Sequence, residues 1–256
     1  MLLALDVGNT NLTIGVFDGE KLAAQWRLRT VQDQTADEWG ILLRNLFSLS
    51  GQDIARVDGI VIASVVPPLD FSLASMAPRY FGREALFVNP ENDTGLIMKV
   101  DHPAEVGADR VVNGLAAFTK YGGPCVVVDL GTAVNFDVVS AKGEYLGGVI
   151  TAGISISSAA LFNRTARLPM VAFRRPARVI GTNTVACMQS GMYYGALGMI
   201  DGILERLIAE LGPKTKTVAT GGQSALIARD SRCVQHIDEN LTLDGLRLVW
   251  ERKRHA

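Results

Sequence analysis

The residue types best suited to chemistry stand in the first turn of the chain, directly after a short apolar run. Asp6 follows the run Met1–Leu5, Gly8 comes two residues later, and Asn9–Asn11 supplies three small polar side chains. An acid at the end of a buried strand can hold a cation, and glycine lets the backbone approach a ligand closely. Backbone N–H groups and short polar side chains can hold phosphate oxygens. The turn therefore has the residue types of a phosphate–metal site.

The elements around this turn are predicted to form a β-hairpin. Apolar residues continue from Leu12 to Phe17 and stop at Asp18-Gly19, a dipeptide typical of tight turns. The segment Lys21–Arg29 alternates loosely and predicts a third antiparallel strand. From this stretch alone, an ordinary hairpin whose polar residues only shape its turn remains an alternative to a phosphate site.

The same pattern returns about half a chain later. The segment Cys125–Thr132 is again an apolar strand followed by an acid, one residue, glycine and a small polar residue. An alignment that pairs Asp6 with Asp129 continues through the next turn if one residue is inserted, and it then pairs Gly19 with Gly143, Glu20 with Glu144 and Leu22 with Leu146. A repeated strand–turn–strand–turn unit predicts two related α/β halves that face each other across a nucleotide-binding cleft.

Alternating helices and buried strands are predicted around the two hairpins. A capping box at Thr35–Glu38 begins the first helix, Gly107–Arg110 opens another, and a long helix runs from about Thr182 to Leu211. The short strand before Thr220-Gly221-Gly222 offers a site of close approach for adenosine. A terminal helix covers approximately Leu243–Arg252, and the segment Ala166–Val179 is predicted to be irregular.

Composition narrows the functional classes. A content of 48% hydrophobic and 20% charged residues is typical of a globular protein with a sizeable core. A net charge of -1 gives no support for binding to nucleic acid or to a membrane surface. Three separated cysteines and three histidines form no metal-ligand pattern, and they favour a reduced, cytoplasmic setting. No apolar run reaches the ~18–20 residues that span a bilayer, and Asp6 interrupts the N-terminal run, which predicts a core strand.

Five motifs together carry a resemblance to a known family. They are Asp6-Val-Gly-Asn-Thr-Asn11, Gly107-Ala-Asp-Arg110, Asp129-Leu-Gly-Thr132, Gly147-Gly-Val-Ile150 and Ala219-Thr-Gly-Gly222. In this order they resemble type III pantothenate kinase, a family of the acetate and sugar kinase/Hsc70/actin superfamily. The similarity runs over essentially the whole chain and includes Gly181–Thr184 and Leu241–Leu246.

This resemblance implies both a fold and an activity. The implied fold is α/β, with duplicated ribonuclease H-like (actin-like ATPase) halves at residues 1–118 and 119–256, mixed five-stranded sheets flanked by helices, and a central cleft. The implied activity is ATP-dependent phosphorylation of the primary hydroxyl of pantothenate to 4'-phosphopantothenate, the first step toward coenzyme A. The implied cofactors are Mg2+ with ATP and a monovalent cation, K+ or NH4+. The implied assembly is a homodimer, to which the glycine-bearing half of the long helix contributes.

The resemblance also implies roles for individual residues. The ATP-phosphate contacts are Asp6, Val7, Gly8, Asn9, Thr10, Asn11, Leu12, Thr13 and Thr132. The pantothenate contacts are Gly107, Ala108, Asp109, Arg110 and Thr184, with Asp109 as the catalytic base. Asp129 matches the ligand of the monovalent cation, and Asp6 helps to hold the divalent one.

The chemistry of these side chains agrees with the implied roles. Phosphoryl transfer depends on positioning and on neutralising charge, so it needs a cation, donors for phosphate oxygens and an acceptor for the hydroxyl proton. Asp109 can accept that proton without a high resting pKa, and the planar fork of Arg110 suits the pantothenate carboxylate. Alternatively, Asp109 and Arg110 only cap and solvate a helix start, Asp129 is a turn acid, and Thr184 caps the long helix.

One position departs from the family pattern, and two other functions stay open. Val100 stands where family members often carry a tyrosine, a change that can alter substrate affinity but removes no catalytic group. A kinase of the same superfamily with another small hydroxylated substrate would keep the phosphate turns and lose the pantothenate contacts. A non-catalytic nucleotide-binding accessory factor in transcription would need no base, so the presence of Asp6, Asp109 and Asp129 argues against it.

Overall fold

The computed structural model describes residues 1–92, 94–165 and 168–255. Contacts between Cα atoms divide the chain into two compact units. The first unit consists of residues Met1–Ala116 and Leu241–Ala256, and the second of Ala117–Asn240. The predicted irregular segment 166–179 begins with two residues that lie outside this description, and from 168 onward it contains no helix or strand.

The chain alternates strands and helices along most of its length. The strands are β1 Leu2–Val7, β2 Asn11–Asp18, β3 Lys21–Arg29, β4 Gly59–Ser64, β5 Ala85–Phe87, β6 Ile97–Met98, β7 Cys125–Leu130, β8 Ala133–Val139, β9 Glu144–Ala152, β10 Lys216–Thr220 and β11 His236–Ile237. The helices are α1 Ala36–Leu49, α2 Pro67–Phe81, α3 Ala108–Tyr121, α4 Ile154–Asn163, α5 Thr184–Leu211, α6 Ser224–Ala228 and α7 Leu241–His255.

The first unit is built on a mixed sheet of five strands in the order β3-β2-β1-β4-β5. Strands β1, β2 and β3 are joined as antiparallel hairpins, whereas β4 and β5 run parallel to β1. The central strands β1 and β4 are almost continuously apolar because both faces of the sheet are covered. Their carboxyl ends meet at one edge, where Val7 pairs with Ser64.

Helix α1 shows how closely local sequence sets these elements. The predicted capping box is confirmed, because the Glu38 N–H donates to the Thr35 hydroxyl at 3.3 Å and the Thr35 N–H donates to the Glu38 carboxylate at 2.8 Å. The predicted apolar face is also confirmed, since Trp39, Leu43 and Phe47 lie fully in the core. Local periodicity and capping therefore fixed this helix correctly.

The second unit repeats the same topology. Its strands run in the order β11-β10-β7-β8-β9, with antiparallel β7-β8-β9 hairpins and with β10 and β11 parallel to β7. Strands β1 and β7 share one burial pattern, in which four buried residues precede a partly exposed acid and a further buried residue. The predicted duplicated fold is therefore confirmed, down to the position of Asp6 and Asp129.

The register of the hairpins corrects the sequence alignment of the second turn. Both units carry a bulge at the equivalent place, after which Leu22 pairs with Phe17 and Tyr145 pairs with Val139. Leu22 is therefore equivalent to Tyr145, and its predicted match with Leu146 is wrong by one residue. The first hairpin loop is one residue shorter in the second unit and the next turn is one residue longer, so the two changes cancel.

The position of the last helix also differs from the sequence prediction. Residues 119–256 were expected to form one half, but α7 packs on β1, β2 and β4 of the first unit. Gly59 leaves the space that the Trp250 ring occupies, because a Cβ atom at Gly59 would lie 2.1 Å from that ring. Gly245 lies similarly close to the backbone of Val112. The boundary near residue 118 agrees with the structure, whereas the assignment of residues 241–256 to the second half is wrong.

Candidate functional site

The first acidic turn stands at the carboxyl end of β1. Asp6 is partly exposed, and the side chains of Val7 and Leu12 are fully buried in the core. The Gly8 N–H donates to the Asn11 carbonyl at 3.0 Å and closes the loop, which leaves Asn9 and Thr10 exposed at its tip. Of the predicted phosphate contacts, Val7 and Leu12 can therefore offer only backbone atoms, whereas the polar residues of the loop can offer side chains.

The start of helix α3 lies beside this turn in the same unit. The Val65 N–H, just beyond the end of β4, donates to the Val7 carbonyl at 3.0 Å. A Cβ atom at Gly107 would lie 3.3 Å from Cγ1 of Val65, so Gly107 packs against the same edge of the sheet. The fold thus brings together the segments Asp6–Thr13 and Gly107–Arg110, which are about a hundred residues apart in sequence.

Asp109 is held in a defined position at this helix start. Its Oδ1 accepts a hydrogen bond from the Arg110 backbone N–H at 2.8 Å. Burial raises the pKa of the Asp109 carboxyl, and the Arg110 N–H bond and guanidinium charge oppose that shift only in part. A Cβ atom at position 107 would lie 2.4 Å from Oδ1, so Gly107 keeps the space that the carboxylate uses. A desolvated carboxylate in this position is suited to accept a proton.

The second acidic turn stands at the carboxyl end of β7 in the other unit. The Gly131 N–H donates to the Ala133 carbonyl at 3.0 Å, the counterpart of the bond that closes the first loop. Asp129 is partly exposed, and Thr132 is exposed at the tip of the turn. Gly221 follows β10 with a φ of +88°, and a Cβ atom there would lie 2.5 Å from Oδ1 of Asp129. The conformation that only glycine adopts easily therefore places backbone next to this carboxylate.

Thr184 is placed differently from the other predicted contacts. It is the exposed first residue of α5, and the cap of that helix is Asn183, whose Oδ1 accepts from the Ala186 N–H at 2.9 Å. The alternative in which Thr184 caps the helix is therefore wrong. The hydroxyl of Thr184 is not occupied by capping, so it stays available as a ligand contact.

A separate cavity of about 370 Å3 lies in the second unit, before and along the start of α5. Its lining includes three arginines, Arg174, Arg175 and Arg178, of which Arg175 forms an ion pair with Asp230 at 2.5 Å. None of the predicted site residues lines it. The cavity is therefore distinct from the two acidic turns and carries no assigned role.

Two residues at these turns escaped the sequence predictions. Thr30 follows β3 and donates from its hydroxyl to the Gly8 carbonyl at 2.6 Å. Gly153 follows β9, and its N–H donates to the Thr132 carbonyl at 3.1 Å. Each ends a strand that looks like an ordinary outer strand in the sequence. The available signal was their equivalent place in the two repeats, immediately after the third strand.

Comparison with solved structures places the fold in a class. A conserved putative Baf family transcriptional activator from Campylobacter jejuni superposes with a TM-score of 0.62 at 19% identity, covering 99% of this chain and all of that one. A putative N-acetylmannosamine kinase from Listeria monocytogenes superposes with a TM-score of 0.51 at 14% identity, covering 99% of both chains. The duplicated sheets with their paired acidic turns define a protein of the acetate and sugar kinase/Hsc70/actin superfamily.

Sequence similarity then identifies the family within that class. The sequence model of type III pantothenate kinase matches residues 2–206. The chain is 67% identical over 252 residues to a type III pantothenate kinase of Solibacter usitatus (strain Ellin6076), covering 98% of this chain and 97% of that relative. The chain belongs to the type III pantothenate kinase family, and the recognition made from its motifs is confirmed.

Proposed function

We propose that this protein phosphorylates the primary hydroxyl of pantothenate with ATP, giving 4'-phosphopantothenate and ADP at the first step of coenzyme A biosynthesis. The observation that carries the proposal is family membership over nearly the whole chain. The placement of Asp109 beside the first acidic turn supports it, because an acceptor for the hydroxyl proton then stands near candidate phosphate contacts.

On the ATP side, we assign the segment Asp6–Thr13 to the phosphates of the nucleotide. The exposed loop offers the Asn9 amide, the Thr10 hydroxyl and backbone groups, which suit phosphate oxygens. Thr132, exposed in the equivalent turn, supplies a further phosphate contact. These groups orient the γ-phosphate and compensate its charge, which is the main source of catalysis in phosphoryl transfer.

On the pantothenate side, we assign Gly107, Ala108, Asp109, Arg110 and Thr184. The guanidinium of Arg110 suits the carboxylate of pantothenate, and the exposed Thr184 hydroxyl offers a hydrogen bond. The side chain of Ala108 is buried, so it can contribute only backbone. In the reaction, the pantothenate hydroxyl oxygen forms a bond to the γ-phosphorus while its proton passes to Asp109. The bond from that phosphorus to ADP breaks, and its electron pair stays on the ADP oxygen.

The donor set fits the cations that the family implies. Within the described residues, no group of three or more His, Cys, Asp or Glu side chains forms a metal cage. Mg2+ needs no such cage, because it is commonly held by one or two carboxylates together with substrate phosphates. We propose that Asp6 supplies such a carboxylate and that Asp129, with nearby backbone oxygens, holds K+ or NH4+. When bound, these ions supply positive charge beside the phosphates.

Two alternatives make different predictions. A related kinase would phosphorylate another alcohol and not pantothenate. A nucleotide-binding accessory factor in transcription, as the Campylobacter title suggests for that protein, would bind ATP without turnover. The three acids favour an enzyme, because binding alone requires no base. The net charge of -1 also gives no support for a direct contact with nucleic acid.

The deciding experiment measures ADP release with ATP, Mg2+ and pantothenate, in buffers that contain K+, NH4+ or Na+. Pantothenate-dependent release that is faster with K+ or NH4+ than with Na+ supports the assignment. Turnover of other alcohols alone would favour the related kinase, and absence of turnover with every cation would exclude catalysis.

We also propose that the protein is a homodimer in the cytoplasm. Small residues face open space along α5, since a Cβ atom at Gly191, Gly195 or Gly198 would meet nothing within 4 Å. Large apolar side chains are exposed on the neighbouring α4, including Ile156 at 48%. A second copy would bury such a surface. The three free cysteines suit a reducing compartment, and within the described residues no helix is long and apolar enough to cross a membrane.

Sedimentation tests the dimer directly. The variant Gly195→Arg places a charge on the open side of α5 and should shift the protein toward monomer. Leu49→Asp changes an 85% exposed residue at the end of α1 and serves as the control that should stay dimeric. A wild-type monomer at micromolar concentration would contradict the proposal.

A further inference from the structure

Thr30 makes two hydrogen bonds to the first acidic turn from the end of strand β3. Its hydroxyl donates to the Gly8 carbonyl at 2.6 Å, and its backbone N–H donates to the Thr10 carbonyl at 3.0 Å. Gly8 also donates its own N–H to Asn11, so the carbonyl and the N–H of this residue are both engaged. The loop is thereby fixed from both sides, by its own closing bond and by Thr30.

The second unit provides an internal comparison, because it keeps one of these bonds and lacks the other. Gly153 occupies the place of Thr30, and its N–H donates to the Thr132 carbonyl just as the Thr30 N–H donates to Thr10. A Cβ atom at Gly153 would lie 2.1 Å from the Thr132 carbonyl oxygen, so no side chain fits there. The backbone bond is common to the duplicated fold, whereas the hydroxyl bond is specific to the first turn.

This difference falls on the turn that carries the larger set of predicted phosphate contacts. The first loop has four residues between its last strand pair, Val7 and Leu12, and the second has three between Leu130 and Val134. The longer loop has more conformations to lose when it orders around a ligand. A side-chain bond that holds it in advance lowers the entropic cost of binding.

We propose that Thr30 is a positioning residue that preorganises the first turn for the phosphates of ATP. The proposal rests on the proposed function, in which Asp6–Thr13 holds those phosphates. Thr30 acts through Gly8 and the shape of the loop and does not need to touch the nucleotide. Its loss should therefore weaken nucleotide binding selectively and leave the affinity for pantothenate nearly unchanged.

The variant Thr30→Val tests this role with little change in shape. Valine is similar in size to threonine and favours strands, and it keeps the backbone N–H while removing only the hydroxyl. A net hydrogen bond of ordinary strength corresponds to about a fivefold change in an equilibrium constant. We expect Thr30→Val to raise the KM for ATP and the Kd for a non-hydrolysable ATP analogue with Mg2+ by about fivefold.

Two further variants separate positioning from general stability. Thr30→Ser retains the hydroxyl and should restore both nucleotide constants to within about twofold of the wild type. Thr215→Val is the matched control, because the Thr215 hydroxyl also donates to a backbone carbonyl, that of Gly212, at 2.6 Å. It lies in the second unit, outside the predicted site, so it should lower the melting temperature without changing either nucleotide constant.

Calorimetry with the ATP analogue and steady-state kinetics give the outcome together. Unchanged nucleotide constants in Thr30→Val, or equal changes in the KM values for ATP and pantothenate, would overturn the role of Thr30. Failure of Thr30→Ser to restore binding would do the same. If the wild type showed no turnover with pantothenate, the proposed function would fail, while calorimetry would still decide whether Thr30 orders a nucleotide-binding turn.

Discussion

Replacing Asp109 by asparagine should abolish most of the turnover while leaving the fold intact. Asparagine keeps Oδ1, so it can still accept the 2.8 Å hydrogen bond from the Arg110 N–H at the start of α3. It cannot accept the proton of the pantothenate hydroxyl. A positioned general base contributes typically about 10²–10⁴-fold, so kcat should fall by that factor while nucleotide affinity stays within about twofold.

The same variant should be more stable than the wild type near neutral pH. Burial raises the pKa of the Asp109 carboxyl above its value in the unfolded chain, so folding disfavours the charged form. The resulting loss of stability is fully present above the raised pKa and disappears as the pH falls through it toward the unfolded value. The melting temperature of Asp109→Asn should therefore exceed that of the wild type at pH 8, and the difference should shrink in acid.

Assays of ADP release and thermal unfolding from pH 4.5 to 8.5 check both expectations. The raised pKa also predicts that kcat/KM falls on the acid side at a higher pH than an exposed aspartate, ~3.9, would produce. A variant with a kcat within about threefold of the wild type would remove Asp109 as the base. A variant that is less stable at every pH would refute the argument from desolvation.

Further predictions concern the second unit. Gly221→Ala should displace the Asp129 carboxylate and abolish stimulation by K+, whereas Gly212→Ala, which has a similar left-handed φ of +102° but no neighbour within 4 Å, should keep it; initial rates in K+ and Na+ compare the two, and equal losses would point to backbone strain alone. Burial raises the pKa of the Cys125 thiol to about 12, whereas Cys187 is exposed, so iodoacetamide at pH 8 should label Cys187 first in the native protein. Peptide mapping by mass spectrometry measures this order, and native labelling of Cys125 would contradict it.

The repeated hairpin shows how far local sequence reaches. Apolar runs, turn glycines and a capping box predicted most strands and α1, because burial and hydrogen bonding within a segment leave their period in the sequence. The same patterns misaligned Leu22 by one residue, because two compensating changes in turn length are invisible until the strands pair. They also misplaced α7, since an apolar helix face does not specify which sheet will cover it.

The candidate site divides in the same way. The sequence by itself determined the duplicated fold and the family, together with the residue types of two acidic turns, because these depend on side chains at fixed spacings. Only the tertiary structure decided that Gly107 packs beside the end of β1, that burial shifts the Asp109 pKa, and that Thr30 bonds to Gly8. Those features arise between segments that are distant in the chain, and the distances and desolvation that create them exist only once the sheets have formed and buried their faces.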